Sequence, residues 1–445
     1  MRLFKHQKLA LAYMRMNNYF ALFMEQGTMK TLPALVRILE ILEKDENNNA
    51  LVICPKYVMG SWERDIEGKD DEGRLFFNER QQRILKTRLK IVNYDLVWRR
   101  KEYDKHCSVI VLDESHFIKN RTSRRAKFCL KLALKSDYRY ILTGTPIGNG
   151  QMENIWSQFA FLSPYKYSRG IGSNILGTYR QFEDKYCILN QYWKPYRYRN
   201  VTELQNIIDQ YSYRVTKNDV LDIPGKLPDE IFEIEIQEKQ LYKELHKHSV
   251  VEKLDMIAEN PLAKMTKLRQ ICSGFLNDDE RNLHELKCEK YKVLEDFLDG
   301  YEKKLVIFCE FKQSIKKIGK ILNKKKIKYV ILDGEQKDKN VWRKFQKDNS
   351  IQIIICQYQS GAQGIDLFAS DTILYFEPTL SSNILEQSRD RIDRKGQTRK
   401  CSYIFFLTKG TIEMNIYRAL KNYSDFNKKL FKNYINEYWK GGKVK

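Results

Sequence analysis

A lysine and a threonine at positions 30 and 31 close the segment EQGTMKT (25–31). The apolar run YFALFM (19–24) precedes it, and LPALVRILEIL (32–42), with helical apolar spacing and Pro33 in the first turn, follows. Strand, turn and helix in that order are the context of a phosphate-binding loop. Backbone N–H groups at the helix start and the helix dipole hold phosphate oxygens there, Lys30 neutralises the β- and γ-phosphates, and the Thr31 hydroxyl binds Mg²⁺. Gly27, Thr28 and Met29 are further candidate nucleotide-binding residues of the loop. Met29 stands directly before the lysine, where such a loop carries glycine, and Met24 occupies the place of its first glycine. A side chain at position 29 crowds the phosphates, so altered nucleotide affinity or turnover is expected.

A second constellation is the pair Asp113 and Glu114, directly after the apolar residues SVIVL (108–112). Two carboxylates at the C-terminal end of a buried strand lie where open α/β sheets bind ligands. Asp113 is the candidate Mg²⁺ holder, and Glu114 the candidate to orient and deprotonate a water attacking a γ-phosphoryl group in line. A surface Asp-Glu pair is common and inert; one at the end of a buried strand, downstream of a Lys-Thr loop, points to phosphoryl chemistry. A third segment, LTGTPIGNG (142–150), brings hydroxyls and glycines to a strand end within reach of the same site.

The elements that must position these residues are legible as short β-branched apolar runs. In the first half they fall at 19–24, 50–55, 89–94, 108–113 and 139–144, alternating with helical patterns, and a second series falls at 304–309, 328–333, 351–356, 371–376 and 401–406. Uniformly apolar runs of this length are buried parallel strands, so two α/β sheets are expected. Between the series, from about 163 to 300, the apolar spacing is helical and Gly and Pro are sparse, which predicts helical insertions and a connector. The expected domains are an N-terminal lobe over 1–228 with a helical insertion at about 164–210, and a C-terminal lobe over 229–445 with one at about 238–300.

A chain of 445 residues exceeds what one hydrophobic core serves. Its formal net charge of +22 attracts polyanions, nucleic acid foremost, unless Lys-rich coding bias alone produces it. Nine cysteines without a CxxC pair or histidines at ligand spacing suggest neither a zinc site nor a disulfide framework. The N-terminus lacks the unbroken apolar stretch of a signal peptide, and nothing approaches the roughly 18 apolar residues of a membrane span. A soluble, cytoplasmic protein of a bacterial or virus-infected cell is expected. YWKPYRYRN (192–200) interleaves aromatics with cations, a composition that stacks on exposed bases or forms a turn packed on the connector.

The order and content of these motifs resemble Swi/Snf-type ATPases of helicase superfamily 2, over nearly the whole chain, in a compact viral or bacterial form. LFKHQ puts Gln7 where superfamily members read adenine. LVICPKYVMGSW (51–62) and IVNYDLV (91–97) are similar to segments that contact one DNA strand, with Lys56, Trp62, Asn93 and Tyr94 as candidates. DESHFIKNRTSRRAK (113–127) resembles the extended acidic motif, Lys119 and Asn120 included. QSGAQGIDLF (359–368) resembles the fifth motif, placing Ser360, Gly364 and Asp366 near nucleotide and DNA. EQSRDRIDRKGQ (386–397) resembles the sixth, with Gln387, Arg391 and Arg394 on one helix and its end, the arginines three apart on a shared face. Asp393 stands where the family has histidine, and Thr379 follows Glu377-Pro378 where larger members carry Trp-Asn.

The resemblance implies two RecA-like lobes that hydrolyse ATP with Mg²⁺ between them, Arg391 and Arg394 stabilising transferring phosphate. It implies a monomeric, DNA-dependent ATPase that moves along double-stranded DNA, branched or forked DNA included, without a membrane partner. A strand-separating or junction-processing helicase, or a non-catalytic nucleic-acid-binding module, are the alternatives.

Overall fold

Every one of the ten apolar runs forms a strand. The computed structural model describes residues 3–69, 75–147, 151–220, 224–248, 250–251, 256–257, 261–278, 280, 282–336, 338, 340–361 and 365–422. The chain divides into two compact units, Met1–Asp222 and Ile223–Lys445.

The first unit carries β1 (Tyr19–Met24), β2 (Ala50–Cys54), β3 (Leu89–Asn93), β4 (Cys107–Asp113), β5 (Ser136–Leu142), β6 (Pro164–Tyr167), β7 (Gly170–Ser173), β8 (Cys187–Leu189), β9 (Pro195–Tyr198) and β10 (Ser212–Val215). Six form one sheet in the order β10-β1-β5-β4-β2-β3, parallel at every pairing. Alternate residues serve opposite faces. Ile110 and Leu112 of β4 pack with Ala21 and Phe23, while Val109 and Val111 pack with Phe20, Leu22 and Met24 on the other side. Where both faces are covered, as in β2 and β4, every position is buried, which is why these strands read as apolar runs. Asp113 pairs with Leu142, and Leu142 with Leu22, so the loops after β1, β4 and β5 leave the sheet side by side.

The segment read as a helical insertion is mixed. Helices Tyr179–Tyr186 and Val201–Gln210 are present, but β6 pairs antiparallel with β7, and β8 with β9. Tyr165 and Tyr167, and Tyr196 and Tyr198, recur with period two, which suits a pleated strand rather than a helix, and Gly170 at φ 148° follows the turn between β6 and β7.

The second unit carries β11 (Glu230–Ile234), β12 (Val250–Val251), β13 (Met256–Ile257), β14 (Phe275–Asn277), β15 (Leu283–Glu285), β16 (Leu305–Cys309), β17 (Tyr329–Leu332), β18 (Ile353–Gln357), β19 (Thr372–Tyr375) and β20 (Ser402–Thr408). Its sheet has the order β11-β20-β19-β16-β18-β17, again parallel, with β12–β13 and β14–β15 as separate antiparallel pairs. In both units the strand that escaped the sequence pattern is an edge, β10 (SYRV) or β11 (EIFEI). An edge is covered less completely, so it tolerates the polar and charged residues that disguise it. Among the described residues, no helix is long and apolar enough to cross a membrane.

Candidate active site and the residues behind it

Between Met24 and the helix Thr31–Lys44, the chain turns through left-handed backbone twice, at Gly27 (φ 84°) and Met29 (φ 57°). Glycine adopts that region freely, whereas an L residue gives up about 1–2 kcal/mol. The position before the lysine is therefore built for glycine even though methionine occupies it. Gln7 Nε2 donates to the Met29 carbonyl (3.1 Å), His6 Nε2 to the Thr28 carbonyl (3.0 Å), and Thr28 Oγ1 to the Glu25 carbonyl (2.7 Å). A Cβ on Gly144, in the loop after β5, would meet the Glu25 Cα at 3.3 Å, so glycine there lets the two loops approach. Lys30 is nine-tenths buried, its Nζ 3.5 Å from Glu114 Oε1. Thr31 opens the helix.

Asp113 and Glu114 are both buried at the end of β4. The Asp113 carboxylate accepts from Trp62 Nε1 (2.8 Å) and from the Glu114 backbone N–H (2.9 Å), and its carbonyl accepts from the Tyr94 hydroxyl (2.9 Å). Glu114, itself left-handed at φ 50°, meets Lys30, the Gln26 amide (3.5 Å), the Thr143 hydroxyl (3.3 Å) and His116 Nδ1 (3.3 Å). Burial pushes the Asp113 carboxyl up to about 6, against the pull of Lys30. The same burial raises Glu114, but the Lys30 charge and the His116 hydrogen bond outweigh it and hold this carboxyl well below its usual range. An ionised glutamate beside an ammonium, fixed by three further side chains, is suited to orient water.

Among the described residues no cluster of three or more His, Cys, Asp or Glu could cage a metal. One aspartate and the hydroxyl at a helix start are hard oxygen donors, and Mg²⁺ is bound by few protein ligands together with substrate phosphates. The donor set thus fits Mg²⁺ arriving with a nucleotide, rather than a resident ion.

Four expected contacts are corrected. Trp62 and Tyr94 are sealed in the core and brace Asp113 from behind. Asn93 is buried and caps the helix Tyr94–Val97, its Oδ1 accepting from the Asp95 and Leu96 N–H groups. Gln7 is fully buried and clamps the Met29 carbonyl, leaving no exposed surface for adenine. Trp62, Tyr94 and Gln7 face inward because their polar ends satisfy groups of the acidic pair and the 25–31 loop, while Asn93 serves the start of its own helix. Lys56, Lys119 and Asn120 are exposed. Gln26, His116 and Thr143 lie within the segments EQGTMKT, DESHFIKNRTSRRAK and LTGTPIGNG, but nothing in those segments marks them as contacts of Glu114.

In the second unit, the helix Ser382–Arg389 stops before Arg391 and Arg394, which correct the helical-face expectation by lying in the turn that follows. The Arg391 carbonyl accepts from the Leu367 N–H (2.9 Å) instead of continuing the helix, and Gly396 (φ 99°) lies beyond both arginines. The two guanidiniums still converge, each donating to the Ile365 carbonyl at 3.2 and 3.3 Å, and Arg394 also pairs with Asp366. Asp393 pairs with Lys226 at 3.2 Å. Gln387 is buried, Ser360 is half-buried in the helix Tyr358–Gly361, and Gly364 lies outside the described residues.

The model of the SNF2-related domain matches residues 6–275, and that of the helicase conserved C-terminal domain residues 289–396. The chain belongs to the SNF2-related family. The first match takes in the 25–31 loop and the acidic pair of this SNF2-related chain and runs past the first unit to β14; the second takes in Arg391 and Arg394. The chain is 25% identical over 459 residues to an uncharacterized ATP-dependent helicase of Mycoplasma genitalium, covering 97% of this chain and 42% of that protein. It is 26% identical over 453 residues to the TATA-binding protein-associated factor MOT1 of Saccharomyces cerevisiae, covering 82% of this chain and 23% of MOT1. It thus spans less than half the length of these relatives. The solved SWI2/SNF2 ATPase core of Sulfolobus solfataricus in complex with dsDNA covers 99% of this chain and 94% of that one, at 24% identity and a TM-score of 0.43.

Proposed function

We propose that this SNF2-related chain is the motor of a DNA-dependent ATPase that moves along double-stranded DNA. The observation that carries the reading is Lys30 set 3.5 Å from a buried, ionised Glu114, with Asp113 beside it, where three parallel strands deliver their loops. Lys30 and the amides of the 25–31 loop bind the β- and γ-phosphates, and Glu114 orients water and takes its proton. Thr31 and Asp113 are the residues to hold Mg²⁺, which when bound neutralises phosphate charge. Arg391 and Arg394, already gathered at one carbonyl, stabilise the charge developing on the transferring phosphoryl group. Repeated binding and hydrolysis of ATP then shifts the chain's grip on the duplex.

The net charge of +22 and the exposed Lys56, Lys119 and Asn120 support a grip on the DNA backbone, with affinity that falls steeply with salt and depends little on sequence. Phosphate release is measured with and without double-stranded DNA for the unaltered chain, Lys30→Ala and Glu114→Gln. DNA-stimulated release that both substitutions abolish is the expected result. Equal rates in the unaltered chain and Lys30→Ala would remove the site assignment.

A further inference from the structure

The β8–β9 hairpin holds three aromatic side chains in solvent: Tyr192 at 71%, Trp193 at 81% and Tyr196 at 55% exposure. Three such rings on one hairpin make a clustered apolar surface rather than singly scattered residues. The tip is stiffly built. Asn190 Oδ1 accepts from the backbone N–H of Tyr192 (2.9 Å) and of Lys194 (3.1 Å), and the Asn190 carbonyl accepts from the Trp193 N–H (2.9 Å). Trp193 sits at φ 57°, a left-handed conformation that an L residue adopts only against a steric cost. That cost is sustained by the turn while the indole points away from the core.

The base is anchored to the rest of the first unit. Cys187 is buried, Tyr198 bonds to Glu153, and the Arg199 N–H donates to the Tyr186 carbonyl at 2.9 Å. The rings are accompanied by Lys194, Arg197 and Arg199, and no residue from 190 to 200 is acidic. The Arg197 guanidinium lies 5.7 Å from the Tyr196 ring centroid. Aromatic faces flanked by cations on a rigid stalk meet a ligand that offers π-surfaces joined by phosphates.

We propose that the hairpin tip stacks on unpaired nucleobases, Trp193 first, so that the motor grips DNA where its strands part. A continuous duplex hides its base faces and leaves only phosphate for the cations; a fork or gap presents the faces. The inference rests on the DNA-motor reading and adds a preference to it.

The full chain is titrated against a blunt duplex and against the same duplex ending in two unpaired tails, for the unaltered protein, Trp193→Ala and Trp193→Phe. The unaltered protein binds the fork more tightly. Trp193→Ala loses about tenfold in fork affinity, the scale of one stacked base, and Trp193→Phe keeps most of it. Blunt-duplex affinity and duplex-stimulated hydrolysis stay the same in all three. Equal fork affinity in Trp193→Ala and the unaltered protein, with duplex binding intact, overturns the stacking role alone. An unaltered chain that binds neither substrate overturns the DNA-motor reading as well.

Discussion

Replacing Trp62 by Phe tests the acidic pair without touching nucleotide or DNA. The indole N–H donates to Asp113 Oδ2 at 2.8 Å inside a sealed core, and phenylalanine keeps most of the packing while deleting the donor. A hydrogen bond to a charged group contributes about 1.5–3 kcal/mol, which at about 1.4 kcal/mol per pH unit lifts the Asp113 carboxyl by about one to two units. From its value of about 6, it would move to roughly 7–8. The ionised form is the one able to hold Mg²⁺, so hydrolysis in the unaltered chain is lost as pH falls through about 6. In Trp62→Phe the loss begins a unit or two higher. At pH 7 the ionised share drops from about nine-tenths to between about a half and a tenth, so the rate falls about two- to tenfold and recovers in mild alkali. The assay is the pH profile of DNA-stimulated phosphate release at limiting Mg²⁺. The void left by the smaller ring lowers stability at every pH, but only the lost donor moves the acidic limb. A limb that stays in place would refute the account of Trp62 as the brace of Asp113.

Met29→Gly removes left-handed strain of about 1–2 kcal/mol and adds backbone entropy costing about 0.5–1 kcal/mol, so thermal stability changes little. ATP affinity rises several-fold because the loop's amides are uncovered, as a nucleotide titration will read. Arg391→Ala lowers kcat for hydrolysis about a thousandfold or more with a much smaller change in KM for ATP, measured by steady-state kinetics with saturating DNA. Lys290 and Glu413 form a fully buried pair at 2.7 Å in the second unit. Lys290→Met strands the carboxylate and costs about 3–5 kcal/mol in denaturant unfolding, while adding Glu413→Gln recovers most of the loss.

The strands that fill both sheets were legible because burial on two faces forces a composition that local inspection detects. β10 and β11 were not, since an edge obeys looser rules, and the β6–β9 hairpins were hidden by a segment whose aromatic period of two competes with helical spacing. The positions of Lys30, Asp113 and Glu114 were readable for a related reason: a strand end can be found from its run, which puts Asp113 and Glu114 at the end of β4 and Lys30 between β1 and the helix after it.

What stands behind those residues depends on contacts distant in sequence. Trp62 reaches Asp113 across 51 positions and Gln7 reaches Met29 across 22, and no periodicity marks either pair. Sequence alone makes both ligand-contact candidates, because a buried polar side chain and an exposed one carry the same letter. The distinction decides what their loss would do. A side chain that touches DNA or adenine changes affinity when removed, whereas Trp62 and Gln7 hold the charge state of Asp113 and the path of the phosphate loop. Their loss should therefore appear in the pH and Mg²⁺ dependence of hydrolysis and in ATP binding, with the salt dependence of DNA binding unchanged.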